Sequence, residues 1–566
     1  MGNEIGNSSN STVKRRLAMA AAFLVVATAG SRVLGLVREI IMSSYVGLGT
    51  DMGVYTVANK VPSLVRTLLA DTALSAAFIP VFSGLLEKER RRDAWQVAFT
   101  VTLLATVILG VITILGMTFA PQVVRVIAPG KDFQDPQIVA QTVSLMRIMF
   151  PTVVILGVAG IFMGILNSYN HFALPAIAPI AWNLVIIAVV IALTSGYGVK
   201  ALAWGTLAGT VVELAIQAPA VWKRRWKHAA DGALGGDVAA HQGSPWRLTL
   251  RSPEVRRVAV LLGPVILSLG VINFNAFIDT IFATLIHTDP EGAAPGWIER
   301  AFRLFQLPQG VFAVAIGTVL FPALSRHATA KRMAEFREDL SMGFRQIFFV
   351  TLPFAALFAV LAVPTVRLIY EYGKVRGDEV AISGVGSALL FFSVGMAFVS
   401  VNTLLNRAFY SIQKPSLPLI MGVVNLALNV GLDALLYKPL GVGGITLSTS
   451  IVSLVNFFGL MLLLAPRIGG VDARRVALSA LRSVVALVPL AGVSYGVWYA
   501  LEAALGHGSW WQRLVSVGVA YVTGGVAYLV AARLMRMSEL ADLVAIIRRR
   551  REPRSTEEVI DTEAGG

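Results

Sequence analysis

The 566-residue chain has no cysteine, and only 14% of its residues are Asp, Glu, Lys or Arg. Without thiols there is no disulfide framework, no thiolate metal site and no cysteine nucleophile. Also lacking are a Walker phosphate loop, a zinc-spaced histidine pair and a nucleophile elbow, so nothing points to nucleotide hydrolysis or covalent catalysis. The shortage of charge excludes more. A chain that is 56% hydrophobic, with a mean hydropathy of +0.70, would expose aggregating patches in water, so the solvent for most of it must be lipid. In a soluble protein a net charge of +15 would suggest nucleic acid. In a membrane protein basic residues mark cytoplasmic loops and anionic lipid headgroups, so anionic membrane lipids are expected partners and nucleic acid is not.

A window of about 19 residues finds fourteen apolar spans: 17–45, 53–84, 95–119, 138–167, 175–195, 199–222, 256–287, 297–325, 342–369, 380–410, 416–437, 441–465, 475–501 and 511–534. Helices are expected, because unpaired backbone groups are intolerable in lipid and short alternating barrel strands are lacking. The fold class is therefore an all-α integral membrane protein. Lys14, Arg15 and Arg16, the apolar run after them and Ala27-Thr28-Ala29 imitate a secretory signal peptide. Cleavage there would discard half of a full-length span, so a retained span is expected. With the N-terminus inside, the basic runs "EKERRRD" (87–93), "KRRWK" (223–227), "RRV" (256–258) and "RRRREPR" (548–554) all fall on the cytoplasmic side, which places both termini there. The polar tail 541–566 reads as disordered.

The chain also repeats itself. "AFIPVFS" (77–83) and "VLFPALS" (319–325) each end a span before a charged loop, and their prolines lie 242 residues apart. Asn167 and Pro179 recur as Asn406 and Pro418, and "GVKALAWGT" (198–206) as "GVGGITLST" (441–449). Spans one to six (17–222) and seven to twelve (256–465) thus read as two parallel copies, joined by a polar linker at 223–255 and followed by two further spans within 466–540. Parallel repeats of this kind build transporters with a site near the membrane midplane.

Charge inside the spans marks that site. An arginine at a helix centre costs about 2.5–3.5 kcal/mol on insertion scales. Yet "SRVLGLVREI" (31–40) carries Arg32, Arg38 and Glu39, and span two carries Lys60 and Arg66. Arg32 and Arg66 each lie about 14 residues into their spans, roughly 20 Å deep. Intramembrane charge by default faces a protein interior or a wet cavity. Arg300, near a span end, and Lys60 are expected instead to snorkel to an interface or to be neutralised by opposite charges. His171, His287 and His507 read as isolated. The excess of cations in the first copy favours an anion, and the planar fork of arginine suits phosphate. A phosphate-binding floor of a transport cavity is the reading.

The stretches "SRVLGLVRE" (31–39), "GTDMGVYTVANKVPSLVRTLLADTALSAAFIPVFS" (49–83), "ILNSYNHFALPAIAP" (165–179), "RLFQLPQGVFAVAIGTVLFPALS" (303–325) and "AFYSIQKPSLP" (408–418) resemble the MurJ (MviN) family of bacterial lipid II flippases, collinearly from about residue 17 to 540. The resemblance implies fourteen spans, two pseudo-symmetric six-helix lobes and a cationic cavity that opens alternately to either side. It implies a lipid II substrate, undecaprenyl pyrophosphate bearing a disaccharide-pentapeptide, in the bacterial inner membrane, with the cell-wall synthesis machinery as a possible partner. Family arginines needed for function fall on Arg32, Arg38, Arg66 and Arg303, and a functional aspartate falls on Asp51. The last two spans would form a groove for the lipid tail. The chain departs from many relatives at Phe302, Gln306 and Lys414, where acidic residues are common.

Asn429 and Asp433 lie one turn apart on span eleven, Ile445 and Thr449 one turn apart on span twelve, and Asp279 adds a carboxylate on span seven. Their carboxylate, amide, hydroxyl and backbone oxygens suit a small hard cation such as sodium, the one cofactor expected. Some family members are similar in having a sodium site with this spacing. The alternative is that Asn429 and Asp433 are ordinary packed polar groups. The functional expectation is a lipid II flippase rather than an enzyme. The alternatives are a flippase for another polyprenyl-linked glycan, a multidrug–cation antiporter of the same superfamily and, from a different class, a membrane-embedded glycan enzyme.

Overall fold

The computed structural model describes Ala27, residues 30–234, 248–249 and 251–541. The tail 1–16, the start of the first span with its signal-like segment, residues 235–247 and 250 of the linker and the tail after residue 541 lie outside the described residues. Among the described residues the chain is helix and turn with no β-strand. In order these are α1 (30–46), α2 (Thr50–Val65), a π-helical segment (Arg66–Asp71), α3 (Thr72–Glu87), α4 (Arg91–Thr118), α5 (Ala120–Ile127), a 3-10 turn (Lys131–Gln134), α6 (Pro136–Met149), α7 (Pro151–Ser168), α8 (Ala173–Tyr197) and α9 (Lys200–Leu234). They continue as α10 (Pro253–Thr284), α11 (Ala294–Pro308), a second π-helical segment (Gln309–Ala313), α12 (Val314–Thr329), α13 (Met333–Val360), α14 (Ala362–Tyr370), a second 3-10 turn (Gly373–Val375), α15 (Glu379–Ser411), α16 (Ser416–Leu440), α17 (Val442–Ile468), α18 (Ala473–Leu505) and α19 (Trp510–Leu534).

Twelve helical stretches among the described residues are long and apolar enough to cross a membrane, and each coincides with one of the fourteen expected spans. The other two spans correspond to α1, which begins outside the described residues, and to the 32-residue α10. Large apolar side chains such as Val319, Leu462 and Leu534 point outward at three-quarters exposure or more, as lipid-facing positions do. The architecture is that of an all-α, multi-pass membrane protein. Hydropathy did not foresee two breaks. The third span is followed by a separate α5, and the ninth, expected to run unbroken over 342–369, stops at Leu361 and restarts as α14. Pro121 and Pro364 lie just inside the restarted helices, where a missing N–H is harmless and a fixed φ suits a first turn.

Local features recur at a spacing of 242 to 243 residues. The left-handed residues Glu89 and Lys331 have φ 57°, Asn170 and Gln413 have 56° and 57°, and Gly198 and Gly441 have 55° and 54°. Each follows a helix end, where such a residue lets backbone N–H groups reach back to the last carbonyls. The two π-helical segments and the two 3-10 turns fall at the same offset. So do two hydroxyl bridges, Ser83 to Ser168 at 2.9 Å and Ser325 to Ser411 at 3.2 Å.

By packing, the chain forms two compact units. Among the described residues, the first comprises those up to Arg300 with Ile369–Val385 and Leu426–Ile445; the second comprises Ala301–Leu368, Gly386–Asn425 and those from Thr446 on. In the first, Phe78, Phe82, Ile161, Ile165 and Val221 form a core, with Trp95 and Tyr169 packed around Phe82. In the second, Phe344, Phe348 and Phe457 anchor the core and Phe398 packs edge-on against it. There α18 meets α19 so closely that a side chain at Gly524 would collide with Ser494, and Tyr528 of α19 donates to the Phe349 carbonyl at 2.9 Å.

One end of the first unit is closed by backbone-to-backbone contact. A Cβ on Gly53 of α2 would sit 1.8 Å from the Gly292 carbonyl oxygen, and one on Gly130 would sit 1.5 Å from that of Thr284. Gly373 lies equally close to the Ser44 carbonyl, and Trp297 donates its indole N–H to the Leu48 carbonyl at 2.8 Å. Nearby, Asp132 accepts from the backbone N–H groups of Thr288 and Gly292 and pairs with the His287 ring at 2.6 Å, so His287 is not isolated. His507 likewise lies 3.4 Å from Glu502. His171 is held below the usual imidazole range by burial and then by the nearby Arg224 charge.

Candidate functional site

Arg38 is the best-defined of the candidate arginines. On α1 its Nη1 donates to Asn183 Oδ1 at 3.0 Å, its Nη2 donates to Glu39 Oε1 at 2.6 Å, and its guanidinium lies over the Trp182 ring, 4.7 Å from the centroid. Local sequence sets up each partner. Asn183 donates to the Pro179 carbonyl one turn back on α8 at 2.9 Å, which fixes its amide with the oxygen toward Arg38. Trp182 fits against α9 because Gly209 has no side chain; a Cβ there would lie 2.8 Å from the indole.

Glu39 is buried and shared. Its other oxygen lies 3.4 Å from Nη2 of Arg300, which is 1% exposed and the largest fully buried side chain described. The same nitrogen is 2.6 Å from the Met52 sulfur, and the Arg300 carbonyl accepts from the Tyr370 hydroxyl at 3.2 Å. Arg300 therefore does not snorkel. Position near a span end suggested an interface, whereas α11 packs its Arg300 face against α1 and α2. Lys60 lies 3.9 Å from Glu299, in keeping with the expectation of a neutralised charge. With Arg300 gone Glu39 still has Arg38 at 2.6 Å, so the carboxylate is not stranded. What Arg300→Ala removes is a large, fully buried side chain. It is expected to lower stability by about 2–5 kcal/mol, as other large-to-small core substitutions do, read by thermal melting in detergent. Arg300→Met, which refills the volume, should recover most of it; an Arg300→Ala variant melting like the wild type would show that this packing stabilises nothing.

The remaining candidates are placed as follows. Arg32 is exposed on α1 and Arg66 is half-buried at the first residue of the π-helical segment, an interruption that recurs at functional sites. Asp51, in the first turn of α2, accepts from the Gln141 amide at 2.7 Å. The structure thus joins Arg38 to Glu39 and Arg300. Arg303 is partly buried in the second unit, beside Phe302. Phe302 stacks on Phe305 at 5.9 Å and meets Phe392 at a tilt at 5.7 Å, so an aromatic ring is packed at this position. Gln306 and Lys414 are exposed.

Of the expected cation ligands, Asp279, Asn429, Asp433 and Ile445 belong to the first unit and are buried, Asp433 completely; Thr449 belongs to the second. One turn beyond the two carboxylates, Phe282 and Tyr437 touch at 5.8 Å, so α10 and α16 meet beside Asp279 and Asp433. Gly444 lies against the Leu436 carbonyl, closing the α16–α17 hairpin near Ile445. Among the described residues there is no group of three or more His, Asp or Glu that could hold a metal; the expected sodium ligands include two carboxylates. Sequence reasoning passed over Trp182 and Asn183, although Asn183 has a counterpart in Asn425 at the repeat offset. It also left Arg407 unweighed within span ten, where the guanidinium donates to Thr318 at 3.1 Å.

Helix order and packing define a class. The chain covers 92% of itself and 99% of a solved structure described as lipid II flippase MurJ in an inward closed conformation, with a TM-score of 0.71 at 20% identity. An inward-facing multidrug resistance MATE transporter of the MOP superfamily also matches, with a TM-score of 0.63 at 18% identity over 78% of this chain and 94% of that one. The fold is that of an alternating-access membrane transporter.

The family model described as "Lipid II flippase MurJ" matches residues 42–516, so the chain belongs to that family, a family of transporters rather than enzymes. It is 30% identical over 443 residues to the lipid II flippase MurJ of Burkholderia cenocepacia, covering 77% of this chain and 81% of that one. With a Bdellovibrio bacteriovorus protein described as "Probable lipid II flippase MurJ" it shares 28% identity over 532 residues, 93% and 96% of the two chains.

Proposed function

We propose that this protein moves lipid II from the inner to the outer leaflet of the bacterial plasma membrane by alternating access, with Arg32, Arg38, Arg66 and Arg303 binding the pyrophosphate and Asp51 contributing to the same substrate path. The observation that carries this is Arg38, an arginine within an apolar helix whose guanidinium is held on three sides by Asn183, Glu39 and Trp182. A guanidinium held in place loses less freedom when it forks onto phosphate oxygens. The recurring features at 242 to 243 residues support two copies of a six-helix unit, 17–222 and 256–465, with α18 and α19 added as a lipid-tail groove. The basic runs support cytoplasmic termini, and on that orientation the glycine-packed end faces outward. The test is depletion in cells followed by an assay of which leaflet holds lipid II. Accumulation in the inner leaflet is expected; an unchanged outer-leaflet pool would overturn the reading.

The same reading includes a sodium site of Asp279, Asn429, Asp433, Ile445 and Thr449. Carboxylates buried in lipid-embedded helices are costly unless a cation or another partner offsets them, and the burial of Asp279 and Asp433 supports this reading. A bound ion would favour whichever conformation binds it better. The purified protein is expected to melt several degrees higher in sodium than in equal potassium or choline, and Asp433→Asn to lose that difference. Identical melting of the wild type in all three salts would return these residues to interhelical hydrogen bonding.

A further inference from the structure

Two buried hydrogen-bond donors remain unused within the Arg38 cluster. Arg38 spends Nη1 on Asn183 and Nη2 on Glu39, yet its Nε is buried and has no hydrogen-bond partner. The Trp182 indole nitrogen, on the ring that the guanidinium covers, is likewise buried and unpartnered. Leaving a buried donor unsatisfied typically costs 1–3 kcal/mol. Two such donors, one on the guanidinium and one on the ring that it covers, call for acceptors, which the several oxygens of a phosphate group can supply. Neither residue needs to be rebuilt: Gly209 clears space for the indole, and the bonds from Asn183 to the Pro179 carbonyl and from Arg38 to Asn183 fix the other side.

We infer that Trp182 is a substrate-contacting residue, its indole N–H joining Arg38 in binding a phosphate oxygen, and that Asn183 is a positioning residue holding the guanidinium for that contact. The inference rests on the proposed function, whose arginines bind pyrophosphate. A ring face alone would attract the guanidinium. The N–H adds selectivity for an acceptor, so two substitutions separate the roles. Trp182→Phe keeps an aromatic face and removes the donor; Trp182→Leu removes both.

The experiment measures binding of undecaprenyl pyrophosphate, undecaprenol and inorganic pyrophosphate to the full-length protein in detergent, for wild type, Arg38→Ala, Trp182→Phe, Trp182→Leu and Asn183→Ala. Size-exclusion profiles and melting temperatures establish folding of each variant. Trp182→Phe is expected to weaken undecaprenyl pyrophosphate binding about tenfold, the order expected for one hydrogen bond to a charged group, and to leave undecaprenol binding unchanged. Trp182→Leu and Asn183→Ala should weaken it further, and inorganic pyrophosphate should follow the same ranking if the phosphate rather than the lipid is read. Wild-type affinity in a folded Trp182→Phe, with loss confined to Trp182→Leu, would reduce Trp182 to packing and overturn the inference. Wild-type affinity in Arg38→Ala would instead overturn the arginine reading beneath it. Weakening of undecaprenol and undecaprenyl pyrophosphate alike in Trp182→Phe would also overturn the inference, since a lost phosphate contact cannot affect the neutral lipid.

Discussion

Arg38→Ala is expected to abolish complementation of a strain depleted of this protein, while the variant accumulates in the membrane at normal levels. Two physical arguments separate function from folding here. Removing an arginine from an apolar helix lowers insertion cost, by about 2.5–3.5 kcal/mol at a helix centre, so expression should not fall. Glu39 also keeps Arg300 beside it when Arg38 is gone, so the substitution does not strand a buried carboxylate. What is lost is a set of charge-assisted bonds to phosphate, each contributing about 1.5–3 kcal/mol, which for two bonds corresponds to roughly a hundredfold or more in binding. Arg32→Ala and Arg66→Ala are expected to behave alike. Lysine at these positions should restore only part of the activity, because it meets phosphate as a point charge. Full complementation by all three alanine variants would refute the phosphate role.

The second large effect is expected at Gly53. An alanine there places its methyl carbon where the Gly292 carbonyl oxygen now lies, and neither partner is a flexible side chain that could swing away. Overpacking of this kind costs about 1–3 kcal/mol or more. A conformation in which this end has parted escapes that cost, so the population shifts toward it by roughly tenfold or more. The cysteine-free chain makes the shift easy to read. Cysteines at positions 60 and 299, where the native Lys60 ammonium and Glu299 carboxylate meet at 3.9 Å, should be bridged in an otherwise wild-type chain by a short thiol-reactive cross-linker that replaces the length lost from the two side chains, and more slowly with Gly53→Ala. Equal cross-linking rates would mean that the glycine contact does not hold this end shut.

The spans were legible because apolar length is what lipid demands, and helices are the only open solution it accepts. Arg38 stood out for the converse reason, as a charge where charge is expensive; depth singled out Arg32 and Arg66, of which the first is exposed and the second half-buried. Arg300 was misread because distance from a span end says nothing about what packs there; its burial comes from α1, α2 and Tyr370, far away in sequence. Trp182 and Asn183 were invisible because neither is unusual in a membrane helix, and only the partner across the fold gives them meaning. The breaks at Phe119 and Leu361 escaped notice since hydropathy continues through them while the backbone does not.

A π-helical segment holds one residue more than an α-helix needs to cover the same rise, and it therefore records an insertion. The segments Arg66–Asp71 and Gln309–Ala313 carry that record at matching places. On the two-copy reading, the extra residue was already in the ancestral half-length chain before it was doubled. Since then the side chains have diverged so far that Arg66 in one copy stands opposite Pro308 in the other. On that reading the shape of this helix has been kept in both copies while the chemistry it carries has not.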